Sequence, residues 1–96
     1  MCNIFANQDE NRYAASTRRL RLNGQSTSIR LENAFWDILD RIAESQDETT
    51  PSFISRLHSE VLESRGEPQN FSSLLRCACL VFLESVDDPA TALAAE

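Results

Sequence analysis

The chain has 96 residues and a mass of 10.8 kDa, which leaves room for one domain. A hydrophobic fraction of 42% with 25% charged residues is typical of a globular protein and excludes a disordered or fibrous chain. The three cysteines, an odd number, exclude a disulfide framework. A net charge of -6, taken over the whole chain, argues against binding of nucleic acid, because phosphate groups favour a basic surface.

The sequence predicts a soluble, cytoplasmic protein with no membrane partner. Its longest apolar run, residues 77–83, is too short to span a bilayer. No basic segment leads into an apolar stretch, as a secretion signal would require.

Charge is distributed unevenly along the chain. Residues 1–31 hold five arginines and two acids, a net charge of +3, whereas residues 32–96 hold four arginines and thirteen acids, a net charge of -9. All nine cations are arginines, whose planar guanidinium groups suit bidentate recognition of phosphate or guanine. The use of arginine in place of lysine is also typical of proteins from GC-rich genomes, so it does not by itself indicate nucleic-acid binding. The N-terminal third is nevertheless where a contact with nucleic acid is expected.

A β-hairpin is predicted after a partly ordered arm of residues 1–16. Residues 19–22 and 26–31 alternate with period two around Asn23-Gly24, the strongest short signal for a hairpin. A two-residue turn places Arg21 opposite Ser26, and the same register continues along both strands. Residues that lie opposite each other share a face of the hairpin. One face holds Leu20, Leu22, Thr27, Ile29 and Leu31. The other face holds Arg19, Arg21, Ser26, Ser28 and Arg30.

Two amphipathic helices are predicted next. The first covers roughly residues 33–46, where apolar side chains recur at helical spacing. Thr49 or Thr50 can cap the second helix, which has Pro51 in its first turn and stops at Gly66.

A third helix, residues 71–86, is capped by Asn70 and is apolar nearly all round, so it needs cover on two sides. Cys77 and Cys79 lie two positions apart on it and point roughly 200° from each other, which prevents them from sharing a metal ion. We therefore expect both cysteines to pack in the core. Residues 87–96 are predicted to be a flexible tail.

The order of these elements indicates a homodimer, because a lone hairpin is marginal in water. The run from residue 27 to residue 36 reads TSIRLENAFW, and a helix, a short polar turn and a second helix follow it. This arrangement resembles the ribbon-helix-helix superfamily. It is similar in detail to a bacterial branch with a TSIRLE-x-x-FW signature and an extra NFSSLLR-like C-terminal helix. The resemblance covers roughly residues 17–86.

The resemblance implies an α+β, mostly helical fold, in which a hairpin or ribbon and three helices form an intertwined homodimer. One strand from each subunit would pair antiparallel, and the resulting ribbon would enter the DNA major groove. The implied base-reading residues are Ser26, Ser28 and Arg30. The implied phosphate contacts are Arg18, Arg19, Arg21, Thr49, Thr50 and Ser52, the last three at a helix N-terminus. The expected dimer core is Ile29, Leu31, Phe35 and Trp36, because one subunit alone is expected to give these four junction side chains too little apolar cover.

Two features depart from the family pattern. The turn between the first two helices usually carries a glycine, and here Asp47 or Glu48 occupies that place, so a left-handed residue must be tolerated or the turn differs. The strand at residues 18–22 would also widen the dimer to four strands, whereas the groove admits two. Either this strand acts as a flexible arm on DNA, or the sheet face serves another purpose.

No enzyme, metal site or cofactor is expected, because the chain has a single histidine, two glycines and no visible pair of nucleophile and base. Our first hypothesis is a dimeric, sequence-specific DNA-binding protein, either a transcriptional regulator or an antitoxin. Its partners would be double-stranded DNA, further copies of itself as a homodimer or higher oligomer, and a toxin or other protein. The alternative is a protein-interaction dimer of the same fold whose acidic helical surface docks a partner. Arg19, Arg21 and Arg30 discriminate between the two hypotheses. Convergence of these side chains from two subunits on one face favours DNA binding, whereas their burial or their engagement by Asp and Glu favours the alternative.

Overall fold

The computed structural model describes residues 2–87. Two short helices, α1 (Cys2–Ala6) and α2 (Glu10–Tyr13), precede the strands β1 (Ala15–Leu22) and β2 (Gln25–Glu32). Three longer helices follow, namely α3 (Asn33–Ser45), α4 (Thr50–Arg65) and α5 (Phe71–Asp87). The predicted fold class, a hairpin followed by three helices in an α+β chain, is confirmed. The predicted tail lies outside the described residues, except that Asp87 ends α5.

The hairpin has the register that the sequence predicts. Arg21 lies opposite Ser26, and Arg19 lies opposite Ser28. The turn residues Asn23 and Gly24 have φ values of 52° and 85°, the left-handed conformation that a two-residue turn of this twist requires. β1 pairs with β2 from Ala15 to Leu22, so it is a full strand of the sheet and not a loose arm.

The inner face of the hairpin forms one side of the core. Leu20, Leu22, Ile29 and Leu31 are all buried there. They pack against buried side chains from all three long helices, namely Trp36, Leu39, Ile42, Ala43, Phe53, Ile54, Leu75 and Cys79.

The expectation that the junction side chains lack cover within one chain is wrong. Ile29, Leu31 and Trp36 are 5%, 0% and 1% exposed in a single copy, and Phe35 packs against the same cluster while partly buried. The chain's own hairpin and helices supply the cover that was expected from a partner. The role of these four residues in a dimer core therefore stays a prediction.

The helix boundaries follow the capping residues. The Thr49 hydroxyl accepts a hydrogen bond from the Ser52 N–H at 3.2 Å, and Gly66 ends α4. The Asn70 side chain likewise accepts from the Ser73 N–H at the start of α5. Each interaction satisfies a backbone group that a helix end leaves unpaired.

Asp47 occupies the glycine position of the turn between α3 and α4. The Glu48 N–H donates to the Ala43 carbonyl at 2.9 Å and the Asp47 N–H donates to the Glu44 carbonyl at 3.2 Å, the hydrogen-bond pair of a Schellman motif. This motif needs a left-handed residue, and Asp47 has a φ of 55°. The turn therefore keeps its usual geometry with a residue that is strained there.

We expect Asp47→Gly to stabilise the protein by about 0.5–1 kcal/mol, because glycine adopts the left-handed conformation without steric cost. For a chain of this size the melting temperature should rise by about 2–8 °C. Asp47→Asn is the control for the loss of charge, since asparagine keeps a side chain at this φ. Equal melting temperatures for the two variants would show that backbone strain is not the cause.

The two cysteines of α5 differ in environment. Cys79 is fully buried, and this burial raises the pKa of its thiol to about 11. Cys77 is exposed, so the prediction that it packs in the core is wrong. One side of α5 covers α3 and β2, and the side that carries Cys77 faces away from the core.

Candidate nucleic-acid interface

The outer face of the hairpin brings three arginines together. Arg19 and Arg21 project from β1 and Arg30 projects from β2, all three exposed, with Ser26 and Ser28 on the same face. Within residues 2–87, no carboxylate lies within 4.0 Å of these three guanidinium groups. Because opposed side chains on one face of a sheet are only about 5 Å apart, the face is a compact array of cations and hydroxyl groups.

The acid at the end of this face is already neutralised. Glu32 is the last residue of β2, and its Oε1 accepts a hydrogen bond from the Arg76 Nε of α5 at 3.0 Å. Its own backbone N–H and then Arg76 lower the pKa of this carboxyl. The charge on the hairpin's outer face is therefore positive over its length.

Arg18 lies on the other side of the sheet. It is opposite the buried Ile29, and its guanidinium donates to both Asp40 oxygens, at 2.9 and 3.1 Å. The same group lies over the Trp36 ring, 4.5 Å from its centre. The hydrogen bond to Arg18 lowers the pKa of Asp40, and the Thr50 hydroxyl donates a further hydrogen bond at 2.6 Å. Arg18 thus connects β1 to α3 and, through Asp40, to α4.

We expect Asp40→Asn to remove an acid-sensitive contribution to stability. The lowered pKa means that the ion pair stabilises the fold at pH values above the ordinary value of 3.8, and that this contribution is lost as the pH falls through the lowered pKa. Both side chains are about two-fifths exposed, 38% and 43%, so solvent screening limits the effect to about 0.2–1 kcal/mol. Urea unfolding at pH 7 and at pH 2.5 measures it. The difference between variant and wild type should be present at pH 7 and should shrink at pH 2.5, and an unchanged difference would contradict this assignment.

The N-terminus of α4 offers fewer free donors than a typical helix end. Pro51 has no N–H, and the Ser52 N–H is capped by Thr49. The Thr50 side chain is engaged by Asp40, whose charge Arg18 balances. Thr49 and Thr50 retain backbone N–H groups with no partner among the described residues, and Ser52 is exposed. The structure thus brings the predicted phosphate-contacting residues Thr49, Thr50 and Ser52 together, but few hydrogen-bond donors remain free at this helix end.

The tip of the hairpin is fastened to α4. The Asn23 amide donates to His58 Nδ1 at 2.8 Å, and its side-chain oxygen accepts from the Ser59 hydroxyl at 2.6 Å. The Asn23 backbone N–H donates to the Ser55 hydroxyl at 3.3 Å. One turn residue therefore ties the hairpin to three side chains of one helix face.

The base of the hairpin is fastened to α3. The Trp36 indole N–H donates to the Ser16 carbonyl at 2.9 Å, and the Ser16 hydroxyl donates to Asn33 at 2.6 Å. With both ends held, the outer face is presented on a rigid support, as a binding surface requires.

The acidic residues collect on the helices instead. Arg56 is bonded to Glu48 and Glu60, at 2.9 and 3.0 Å, and further exposed acids lie on α3, on α4 and in the turn that joins them. We call this set the acidic helical surface: Asp37, Glu44, Asp47, Glu60 and Glu63. The protein is therefore polarised, with three unpaired arginines on the outer face of the hairpin and a group of exposed acids on α3, on α4 and in the turn between them.

Sequence analysis missed the contacts of Asn23, Arg18 and Asp40. A signal for Arg18 was available, because period-two alternation places it on the same face as Leu20 and Leu22. The partners of Asn23 and Arg18 depend on how the helices cross the sheet, and no local pattern contains that information.

Comparison with known proteins identifies a family and a similar solved structure. The sequence profile of a family described as a ribbon-helix-helix domain matches residues 15–83. The solved structure of an uncharacterized protein from Bordetella pertussis Tohama I is similar, with 41% sequence identity and a TM-score of 0.84. The match covers 94% of the present chain and 74% of that one. No curated protein matches the sequence. Separately, no helix within residues 2–87 has both the length and the apolar composition needed to cross a membrane.

Proposed function

Because the chain belongs to the ribbon-helix-helix domain family, we propose that it is a dimeric, sequence-specific DNA-binding protein that acts as a transcriptional regulator or an antitoxin. The observation that carries the proposal is the outer face of the hairpin, where Arg19, Arg21 and Arg30 are exposed and unpaired among the described residues. Cations on a rigid ribbon match the phosphates and base edges of the major groove.

The width of the sheet suggests that its two strands contact different parts of the DNA. Strands lie about 4.8 Å apart and the major groove is about 12 Å wide. If the free edge of β2 pairs with β2 of a second copy, the outer strand axes of the four-stranded sheet are about 14 Å apart, which is wider than the groove. We propose that the two β2 strands lie in the groove and that each β1 lies over one of the bordering phosphate backbones.

This arrangement assigns a role to each predicted residue. Arg30 on β2 would reach the base edges, with Ser26 and Ser28 as weaker donors beside it. Arg19 and Arg21 on β1 would contact phosphates. A phosphate contact by Arg18 would require both hydrogen bonds to Asp40 to break, so we rank it below these two. The Thr49 and Thr50 N–H groups and the Ser52 hydroxyl at the start of α4 are proposed as secondary phosphate contacts.

The alternative function is a protein-interaction dimer that uses the acidic helical surface and does not bind DNA. It predicts that carboxylates engage the arginines of the sheet. Arg19, Arg21 and Arg30 have no such partner within residues 2–87, which favours DNA binding.

Selection of bound sequences from random DNA tests the proposal, and Arg19→Ala tests the role of β1. Wild type should enrich one preferred sequence at low salt. Arg19→Ala should weaken binding to preferred and random DNA alike. It should also reduce the salt dependence by about one unit of slope for each phosphate that is no longer neutralised.

Arg65→Ala is the matched control, since Arg65 is an exposed arginine at the C-terminal end of α4 and is not part of the hairpin. It removes the same charge and should leave the salt slope unchanged. Absence of any preferred sequence for wild type at low salt would overturn the proposal and favour the acidic docking function.

A further inference from the structure

The outer side of α5 is an uncovered apolar surface. Leu75 and Cys79 on the inner side are fully buried, whereas Leu80 and Val81 are 52% and 60% exposed and Cys77 is also exposed. An α-helix that is apolar nearly all round needs cover on two sides. Within residues 2–87, the rest of the chain covers α5 on one side only.

The residues along this outer side form a self-complementary pattern. At 100° per residue, a stripe along α5 and its capping residue contains positions 70, 74, 77, 78, 81 and 85. In order, these are polar Asn70, apolar Leu74, small Cys77 and Ala78, apolar Val81 and polar Ser85. Asn70, Cys77 and Val81 are exposed, and the other three are half-buried. The pattern reads the same in both directions about a point between Cys77 and Ala78.

We propose that this stripe binds the same stripe of a second copy, with the two α5 helices antiparallel. A two-fold axis between Cys77 and Ala78 places Leu74 of one copy against Val81 of the other, and the small residues at the centre allow close approach. Reciprocal contacts of this kind are what a two-fold interface requires. The inference does not depend on DNA binding.

The low charge of this side of α5 makes a second copy of the chain a suitable binding partner. The chain has a net charge of -6, so two copies repel each other where their acidic helical surfaces meet. Residues 70–85 contain two charged residues. Arg76 is already paired by Glu32, and an antiparallel arrangement places Glu84 opposite Phe71, at the N-terminus of the other α5, and not opposite another acid. The stripe is thus a helical face on which two acidic copies can meet without like charges in contact.

The size of the stripe predicts a weak interface. α5 has 17 residues and is about 26 Å long, and the side chains make a helix about 10 Å wide. These dimensions give roughly 260 Å² per copy, well below the roughly 800 Å² per partner of a stable interface. We therefore expect α5 contacts to add to another interface, such as the free edge of β2, and to depend on concentration.

Cross-linking through Cys77 tests the inference directly. In a Cys2→Ser background, a short bis-maleimide should join two copies through Cys77, because Cys79 is buried with a raised thiol pKa. The yield should increase between micromolar and several hundred micromolar protein. Val81→Asp should lower the yield at least tenfold, while Leu80→Asp, on the shoulder of the helix outside the stripe, should retain most of it.

The position of the thiol distinguishes antiparallel from parallel helices. Moving the cysteine with Cys77→Ser and Glu84→Cys should abolish the short cross-link, because an antiparallel pair separates the two positions by about 20 Å along the helix. Cross-linking of that variant at the wild-type yield would mean parallel helices. That outcome would overturn the inference. So would an equal yield for Val81→Asp and wild type when circular dichroism shows both to be folded.

Discussion

Replacing Ile29 with aspartate should unfold the protein. Ile29 is 5% exposed on the inner face of β2, where the hairpin packs against the helices. The substitution buries a carboxylate with no cationic partner and also removes apolar packing, which together cost about 4 kcal/mol or more. A domain of this size has roughly 5–14 kcal/mol of total stability, so the loss is a large share. The melting temperature should fall by about 16 °C or more, or the native transition should vanish.

Ser28→Asp is the matched control for this experiment. Ser28 is the neighbouring residue on β2 and is exposed on the outer face, so the same charge enters water instead of the core. Circular dichroism should show a native melting curve for Ser28→Asp and none, or a greatly lowered one, for Ile29→Asp. Similar melting temperatures for the two variants would show that the inner and outer faces are assigned incorrectly.

Replacing Arg30 with alanine should weaken binding to the preferred DNA sequence by about 1–3 kcal/mol, or roughly 5-fold to 150-fold in Kd. Random DNA should lose less affinity, since it offers no matched base edge for the guanidinium. The ratio of specific to random affinity should therefore decrease. Fluorescence anisotropy at fixed salt, with both DNAs, measures the two changes separately.

Arg30→Lys separates base reading from charge. Lysine keeps the positive charge but lacks the planar fork that pairs with two atoms of one base. The lysine variant should regain the affinity for random DNA while the preference for the selected sequence stays reduced. A full recovery of preference, or an alanine variant with unchanged affinity and preference, would contradict the base-reading role.

Much of the fold could be predicted because local signals determine it. The turn residues Asn23 and Gly24 with period-two alternation allow a single register, and the structure has it. The boundaries of α4 follow from its capping threonine and from Gly66. The outer face could be predicted for the same reason, because alternation alone places Arg19, Arg21 and Arg30 together.

The remainder depends on packing between distant parts of the chain. Arg18 and Asp40 are 22 positions apart, and their pairing depends on how α3 crosses the sheet. The exposure of Cys77 could not be predicted, because a helix that is apolar all round does not indicate which side faces the core. The burial of Trp36 within one copy could not be predicted either, because the sequence does not show that one hairpin and three helices suffice to enclose it.

The fastening of the hairpin at both ends has a thermodynamic consequence. Asn23 holds the tip to α4, and Ser16 holds the base to α3. The arginine face is thus ordered before any ligand arrives, so association should not include a folding step. Calorimetry of DNA binding should then give a small change in heat capacity, unlike the large negative value of coupled folding and binding. Removing the fastening with Asn23→Gly, which preserves the turn, should make that heat-capacity change more negative, since the tip would then become ordered only on the DNA.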